Sequence, residues 1–419
     1  MTDTPDTLRT AQLTWLAAAV ISVSAGYGAL MPVLPGWFGS MMPGTSPAGI
    51  ARHVGFFSGI YAAGVLVGAL LWGVLSNRVG RSRILILGLI GYVASLLLLL
   101  IPALAGLWGL YAVRGATGFF VAAVVPVVSA LVAEHTPETK RARRFAWLSA
   151  MSLLGFLFGP GMIQVADWAG AVAGMGPSTP VTSARNVIVL SAVLGTVMML
   201  GLVRTLPAKR AEDRDLSSDP ETMAAHTIAL CWLNLTVMLV LGGFELGIVL
   251  QGLQHSDMTT RQVARMFAEC SLAMLVVNAA LFFTGLLEKV SSRALIGIGL
   301  VLASAGLAVM AWHSAENELY LGISLTSGGT GLVLPVIAYL AAGVSHRTLG
   351  LTMGALAAAA GLGQTLGSAI TGAIFGEIGQ GTFGLLILPL LVMLALLLVW
   401  PRWWTASLRE SDQATVLAP

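Results

Sequence analysis

An uninterrupted run without charged residues lies at positions 84–101, ILILGLIGYVASLLLLLI. An α-helix needs about 20 mostly apolar residues to cross a bilayer, so this run predicts a membrane-spanning helix. Eleven more apolar runs lie on either side of it. The twelve predicted spans, numbered in chain order, lie at residues 11–36, 53–76, 83–104, 107–133, 144–167, 186–203, 223–250, 262–287, 294–313, 318–344, 348–375 and 382–403. The sequence therefore predicts an all-α membrane protein with twelve transmembrane helices.

The composition excludes the other common classes of protein. Of the 419 residues, 57% are apolar and 10% are charged, whereas a soluble domain is about 45–50% apolar and about 25% charged. The net charge of +3 does not come from a basic patch on a soluble face, so nucleic-acid binding is not expected. Both cysteines lie in apolar runs, which leaves no disulfide or zinc framework.

A polar segment after span 6 divides the spans into two sets of six. The expected organisation is an N-terminal six-helix bundle at 1–203, a cytoplasmic linker at 204–222, a C-terminal six-helix bundle at 223–403 and a cytoplasmic tail at 404–419. With the N-terminus in the cytoplasm, 17 lysines and arginines lie on the cytoplasmic side and four lie outside. Because cytoplasmic loops are enriched in basic residues, both termini are predicted to be cytoplasmic, in a bacterial-type inner membrane.

The two sets of spans repeat weakly in sequence. Residues 73–79 after span 2 match residues 284–290 after span 8, at an offset of 211 in the basic residue. Leu110-Tyr111 in span 4 matches Leu319-Tyr320 in span 10, at an offset of 209. Two parallel halves with a binding site between them are the plan of many secondary transporters. The repeat predicts two pseudo-symmetric six-helix bundles.

The turn between spans 2 and 3 reads GVLSNRVGRSR and begins at Gly73. Gly80 permits a left-handed backbone, and Arg78 and Arg81 are suited to contact helix C-termini. The turn resembles the loop signature of the major facilitator superfamily, in which an acidic residue occupies the position of Asn77. An asparagine cannot form the charged latch that this acidic residue forms in the family, so locking of the inward-closed state is expected to be weaker.

Three further stretches resemble the twelve-span drug:proton antiporter branch of that superfamily. They are GALMPVLP at 28–35, RGATG at 114–118, which ends at Gly118, and GFLFGP at 155–160. The match is partial, because Thr117 replaces a glutamine and Ile163 and Gln164 replace paired glycines. The resemblance implies a major facilitator fold that exports small amphipathic or drug-like compounds in exchange for protons, by alternating access and without a cofactor.

Span 5 also has a physical interpretation of its own. Gly155 and Gly159 allow another helix to approach closely, and Pro160 removes one backbone hydrogen bond and bends the helix. The combination suits a helix that packs tightly yet rocks. A static packing kink is the alternative.

Ionisable residues inside a membrane are costly and are functional candidates by default. The candidates for proton coupling are Arg114, Glu245, Glu269 and Asp167. The family layout would place Glu245 near Arg114, and the glycines around Glu245 are expected to open space for water. The alternatives are a structural salt bridge for Arg114, an outer-mouth position for Glu245, a helical pair of Glu269 with Arg265, and a water-interface position for Asp167.

Polar and aromatic residues within the spans are candidates for the substrate cavity. They are Tyr27, Gln164, Asn234, Phe244, Asn278, Tyr339 and Gln364. Such rings can bind cationic substrates, and such amides can bind substrate. Packing for the rings and helix–helix hydrogen bonds for the amides are the alternatives.

A stripe of sulfur-containing residues, Met266, Cys270 and Met274, recurs every four positions on span 8. Thioether and thiolate groups favour Cu(I), so copper transport is one alternative function, although 17 methionines make chance stripes easy. An importer or proton symporter of a small metabolite on the same fold is another, and a receptor or channel is a third. The chain lacks a phosphate-binding loop and a hydrolytic constellation, so we expect a transporter that is neither ATP-driven nor an enzyme. We also expect it to be monomeric.

Overall fold

The computed structural model describes residues 8–101, 106–136, 138–174, 179–206, 225–254, 258–342 and 349–399. Regular secondary structure within these residues is entirely helical, and twelve segments are long and apolar enough to cross a membrane. Their helices are Thr10–Leu30 with Leu34–Met41, Pro47–Val79, Arg81–Leu98, Gly106–Val121 with Val125–Glu134, Glu138–Val172, Pro180–Thr205, Ala225–Gln254, Thr260–Thr284, Ser292–Trp312, Glu316–Ala342, Leu349–Ile378 and Gly381–Val399. The predicted fold class is confirmed.

Polar caps fix where several spans begin. The Ser46 hydroxyl accepts a hydrogen bond from the Gly49 N–H at 3.2 Å, and Pro47 occupies the first helical position, where its missing N–H costs nothing. Thr259 and Gln262 form a reciprocal capping box at the start of span 8. These caps satisfy backbone donors that would otherwise be unpaired at the helix ends.

Prolines divide two of the spans. Span 1 changes to a short 3-10 turn at Met31–Val33 before it continues as a helix, because Pro32 and Pro35 cannot donate the backbone hydrogen bonds of an α-helix. Span 4 is interrupted between Val121 and Val125, just before Pro126. The interruptions let both spans change direction inside the membrane.

Glycines bring the helices of each half into backbone contact, and they do so in the same pattern in both halves. In the first half, span 5 lies against span 1, since the Cβ position of Gly159 is 2.8 Å from the Cα of Gly28. In the second half, span 11 lies against span 7, since the Cβ position of Gly242 is 3.0 Å from the Cα of Gln364. Spans 1 and 7 are therefore the most enclosed, with 83% and 78% of their apolar windows buried.

The two halves meet mainly where span 2 packs on span 11 and span 5 packs on span 8. We name the side where span 1 begins at Thr10 the terminal face, and the other side the opposite face. Span 2 contacts span 11 from the opposite face inward, from Ala48 beside Gly376 to Leu66 beside Gly361. The halves are thus joined closely towards the opposite face.

Alanine at Gly367 is expected to destabilise the protein by about 1–3 kcal/mol, as overpacking does. Gly367 lies on span 11, and its Cβ position overlaps the Leu239 carbonyl oxygen of span 7. The matched control is alanine at Gly354 on the same helix, which has no atom within 4 Å of its Cβ position. The control should be neutral or up to about 1 kcal/mol more stable. Thermal unfolding in detergent measures both, and equal melting temperatures would contradict the packing.

Candidate functional site

Arg114 lies in the middle of span 4 and is only 2% exposed. Its guanidinium carbon is 4.2 Å from the ring centroid of Tyr61, 5.0 Å from that of Phe57 and 5.9 Å from that of Tyr27. Two of its nitrogens, Nε and Nη2, lack a hydrogen-bond partner. No carboxylate of the described residues forms an ion pair with Arg114. The alternative of a structural salt bridge is therefore wrong for this part of the chain. Aromatic faces hold this charge by cation–π contact.

Glu245 lies on span 7 and is 8% exposed. The Tyr27 hydroxyl of span 1 lies near its carboxyl, while Oε2 has no hydrogen-bond partner. Glu245 is therefore buried rather than at an outer mouth. Because span 1 belongs to the first half and span 7 to the second, this contact joins the two halves of the protein.

Tyr27 links the two predicted charges. Its ring faces the Arg114 guanidinium, and its hydroxyl faces Glu245. Arg114 and Glu245 do not form an ion pair, so their expected proximity takes the form of a shared tyrosine between them. A buried charge with unpaired polar atoms is costly, and a proton, water or ligand at this place would reduce the cost.

The glycines around Glu245 do not open the space that the sequence suggested. The Cβ position of Gly242 is 2.9 Å from the Gln364 carbonyl oxygen, and that of Gly247 is 2.5 Å from Cε1 of Phe383. Both glycines admit neighbouring helices, because a side chain at either position would collide with them. Their function is close packing.

Glu269 lies in the middle of span 8 and is half-buried. The Ser324 hydroxyl of span 10 donates a hydrogen bond to its Oε1 at 2.7 Å. Glu269 does not form an ion pair with Arg265 among the described residues, so the alternative of a local helical pair is wrong. The adjacent Cys270 lies against Ser327 and within electrostatic range of both Glu245 and Glu269.

Asp167 and Gln164 line a cavity of about 250 Å³ near the opposite face, between the halves. Arg261 of span 8 also lines it. Asp167 accepts hydrogen bonds from Ser183 at 2.8 Å and from Asn186 at 3.3 Å. Both residues thus lie away from the Tyr27 contact, and Asp167 lies near the end of span 5.

The remaining cavity candidates are dispersed. The Asn234 amide donates to the Leu356 carbonyl at 2.8 Å, and the Asn278 amide donates to the Met274 carbonyl at 2.8 Å within its own helix. Phe244 is fully buried in the core, and Gln364 is half-buried beside Gly242. Tyr339 is 45% exposed. The structure therefore brings Tyr27 alone of this set into contact with Arg114 and Glu245.

The turn between spans 2 and 3 is tight, with Gly80 at φ 102° as its single linking residue. Arg78 is exposed and Arg81 is half-buried. Gly73 has open space beside it, and the side chain of Asn77 lies outside the described residues.

The conformational motifs on the other spans occupy helix contacts. The Cβ position of Gly118 overlaps the Tyr61 carbonyl oxygen of span 2, and that of Gly155 is 2.6 Å from the Ile21 carbonyl oxygen of span 1. Pro160 lies inside the span 5 helix, beside the Gly159 contact. These glycines place span 4 on span 2 and span 5 on span 1.

The sulfur stripe of span 8 is buried in the apolar core. Met266, Cys270 and Met274 are all below a tenth exposed, and Met274 packs against Gly331 of span 10. Within the part of the chain that the structure describes, no three histidine, cysteine or acidic residues form a group that could hold a metal.

Two of the three aromatic residues around Arg114, and the serines of span 10, were not predicted from the sequence. Phe57 and Tyr61 are four positions apart and share one face of span 2. Ser324 and Ser327 are one helical turn apart in an apolar span. In both cases the signal was a short stripe of polarisable or polar residues, which is weak until a partner helix is known.

Comparisons with known proteins agree with this architecture. The family model of the Major Facilitator Superfamily matches residues 16–276. Tetracycline resistance protein, class D, from Salmonella ordonez is 26% identical over 370 residues, which are 86% of this chain and 88% of that protein. Tetracycline resistance protein, class B, from Escherichia coli is 35% identical over 135 residues, and that alignment spans 32% of either chain.

A solved structure shows the same fold. The crystal structure of the human organic anion transporter MFSD10 (TETRAN) aligns with a TM-score of 0.71 at 18% identity, covering 92% of this chain and 99% of that one. Twelve spans and bacterial resistance relatives make this a multi-pass protein of the inner membrane. Because the family model matches more than half of the residues, the resemblance found in the motifs is confirmed, and the chain belongs to the Major Facilitator Superfamily.

Proposed function

We propose that the protein is a proton-coupled secondary transporter that exports small amphipathic or drug-like compounds by alternating access. Tetracycline is the first substrate to test, because relatives named for tetracycline resistance align with this chain. The observation that carries the proposal is the burial of Glu245 of the second half beside Tyr27 of the first. A titratable group at the junction of the halves connects proton binding with their relative position.

The chemistry of the contact explains how a proton would switch it. An ionised carboxylate accepts a strong, charge-assisted hydrogen bond from a tyrosine hydroxyl. Protonation of Glu245 removes the charge and weakens that bond, so the halves separate more easily there. A protein that takes up the proton from one side and releases it to the other then moves substrate the opposite way. Arg114, stacked on the same tyrosine, supplies a fixed charge beside the switch.

The arrangement in the membrane completes the proposal. The excess of basic residues on the terminal face supports a cytoplasmic position for this face and for both termini. Residues 1–203 and 223–403 would form the moving bundles, joined by the linker 204–222. Both halves come from one chain, so we propose a monomeric transporter without a cofactor or enzymatic activity, with protons and a small molecule as its partners.

Inverted membrane vesicles that contain the protein test the function. With an acidic interior, they should accumulate labelled tetracycline, and a protonophore should abolish the accumulation. Vesicles with empty-vector membranes are the control. Accumulation that ignores the proton gradient would contradict coupling, and accumulation only in right-side-out vesicles would show import instead.

A further inference from the structure

A stripe of polar residues runs along span 10 from the opposite face to the centre of the membrane. Glu316, Tyr320, Ser324 and Ser327 recur every three or four positions, so they share one face of the helix. They pass from exposed at Glu316, through half-buried at Tyr320 and Ser324, to fully buried at Ser327. The stripe therefore extends from the exposed end of the helix to its buried interior.

Span 8 carries a matching stripe that faces the first. Arg261 and Arg265 are exposed, Glu269 is half-buried and Cys270 is buried. The stripes are in register, because Ser324 donates a hydrogen bond to Glu269 at 2.7 Å and Cys270 lies near Ser327. The two helices thus hold one line of polar groups between them, from Arg261 and Glu316 at the opposite face to Ser327 and Cys270 in the core.

The inner end of the line lies near Glu245. Cys270 is within electrostatic range of both Glu269 and Glu245. The Ser327 hydroxyl is fully buried and has no hydrogen-bond partner, as does Oε2 of Glu245. Unpaired polar atoms in an apolar core are costly, and a proton or a water molecule that bridges them would reduce this cost.

The corresponding helices of the first half differ at several of these positions. At the repeat offsets of 209 and 211, the counterparts of Ser324 and Ser327 are Gly115 and Gly118, and the counterpart of Glu269 is Ser58. Gly118 packs against the span 2 backbone at Tyr61. The fold itself therefore does not require a hydroxyl at the positions of Ser324 and Ser327, because the first half has glycine at both.

We propose that the line between spans 8 and 10 is the path by which protons from the opposite face reach Glu245, with Glu269 as its entry carboxyl. This inference rests on the proposed function. A proton from water binds Glu269, and the hydroxyls of Ser324 and Ser327, with bridging water, each donate one proton onward and accept one from behind. One proton leaves Glu269, one arrives at Glu245, and the hydroxyls are unchanged.

Several charged or titratable groups face this path, and they bound its pH dependence. Arg265 and Cys270 lie beside Glu269 on span 8, Tyr320 and Glu316 lie on span 10, and Glu245 lies on span 7. Asp167 of span 5 and Arg261 of span 8 line the same cavity near the opposite face. Among these residues, Glu269 has a half-buried carboxyl that accepts a hydrogen bond from Ser324 of the path.

The test replaces Glu269 by glutamine in the full-length protein. Proton-driven tetracycline accumulation in inverted vesicles should fall by about tenfold or more, because a positioned proton-transfer group is lost. Exchange of internal for external tetracycline should persist, since exchange needs no net proton movement. Proton release on tetracycline binding in detergent should also persist, because Glu245 is intact. Ser324→Ala should reduce the driven rate in the same direction.

Glu318→Gln is the matched control. Glu318 lies in the first turn of the same span, off the stripe and beside His313, so its driven rate should change by less than about twofold. Undiminished driven transport in Glu269→Gln would overturn the path, and so would equal loss of driven transport and exchange, which indicates a structural role. If the wild type shows no proton-driven transport, the proposed function fails instead.

Discussion

Glutamine at Glu245 is expected to reduce proton-driven tetracycline accumulation in inverted vesicles by a factor of about 100. Glutamine has the size and hydrogen-bonding capacity of a protonated glutamate but cannot gain or lose the proton. The contact with Tyr27 would then stay in its uncharged form in every state of the cycle. Proton release on tetracycline binding, measured with a pH dye in lightly buffered detergent, should disappear.

Two variants separate this effect from damage to the fold. Glu245→Asp keeps an acid at the same place and should retain part of the driven transport. Glu377→Gln removes a carboxyl at an exposed position that pairs with Arg52 at 3.6 Å, and it should transport at the wild-type rate, since exposed pairs contribute little. Proton release that persists in Glu245→Gln would exclude this residue as the coupling site.

Lysine at Arg114 is expected to reduce tetracycline transport by about 30-fold, which corresponds to the loss of about 2 kcal/mol of buried cation–π stabilisation. The guanidinium is planar and weakly hydrated, so it stacks on Tyr61 at 4.2 Å. An ammonium group keeps the charge but is strongly hydrated and compact. It would draw water towards the aromatic rings and leave the face of Tyr27.

The control is Arg52→Lys, the same change at an exposed site, which should leave transport unchanged. Tyr61→Phe keeps the aromatic face and should stay within about threefold of the wild type, whereas Tyr61→Leu should resemble the lysine variant. Wild-type transport by Arg114→Lys would show that charge alone, without stacking, is sufficient at this position.

The sequence contained enough to predict most of the fold. Span 3 was predicted at 83–104 and its helix is Arg81–Leu98, because eighteen residues without a charge can satisfy their backbone in a bilayer only as a helix. The ends of the spans agree less closely with the prediction. Span 1 extends to Met41 beyond its predicted end at 36, because its prolines bend the helix without ending it.

The site was predicted in its residues but not in its contacts. Arg114 and Glu245 stood out as charges inside apolar runs, and that signal is local. Their environment depends on Tyr27, Phe57 and Tyr61, which come from two other spans. The local sequence around an aromatic residue in a hydrophobic helix does not indicate whether its ring contacts lipid, another ring or a cation.

The sequence by itself determined that this is a twelve-span membrane protein with a repeated half and a few charges inside it, because the bilayer imposes length and apolarity on each span separately. The tertiary structure alone decided which charges share a partner. Tyr27 stands between Arg114 and Glu245, and Ser324 binds Glu269 where Arg265 was the local alternative. Such pairings depend on how glycines on different helices bring the backbones together. The sequence of a single helix does not specify which surface of another helix it packs against.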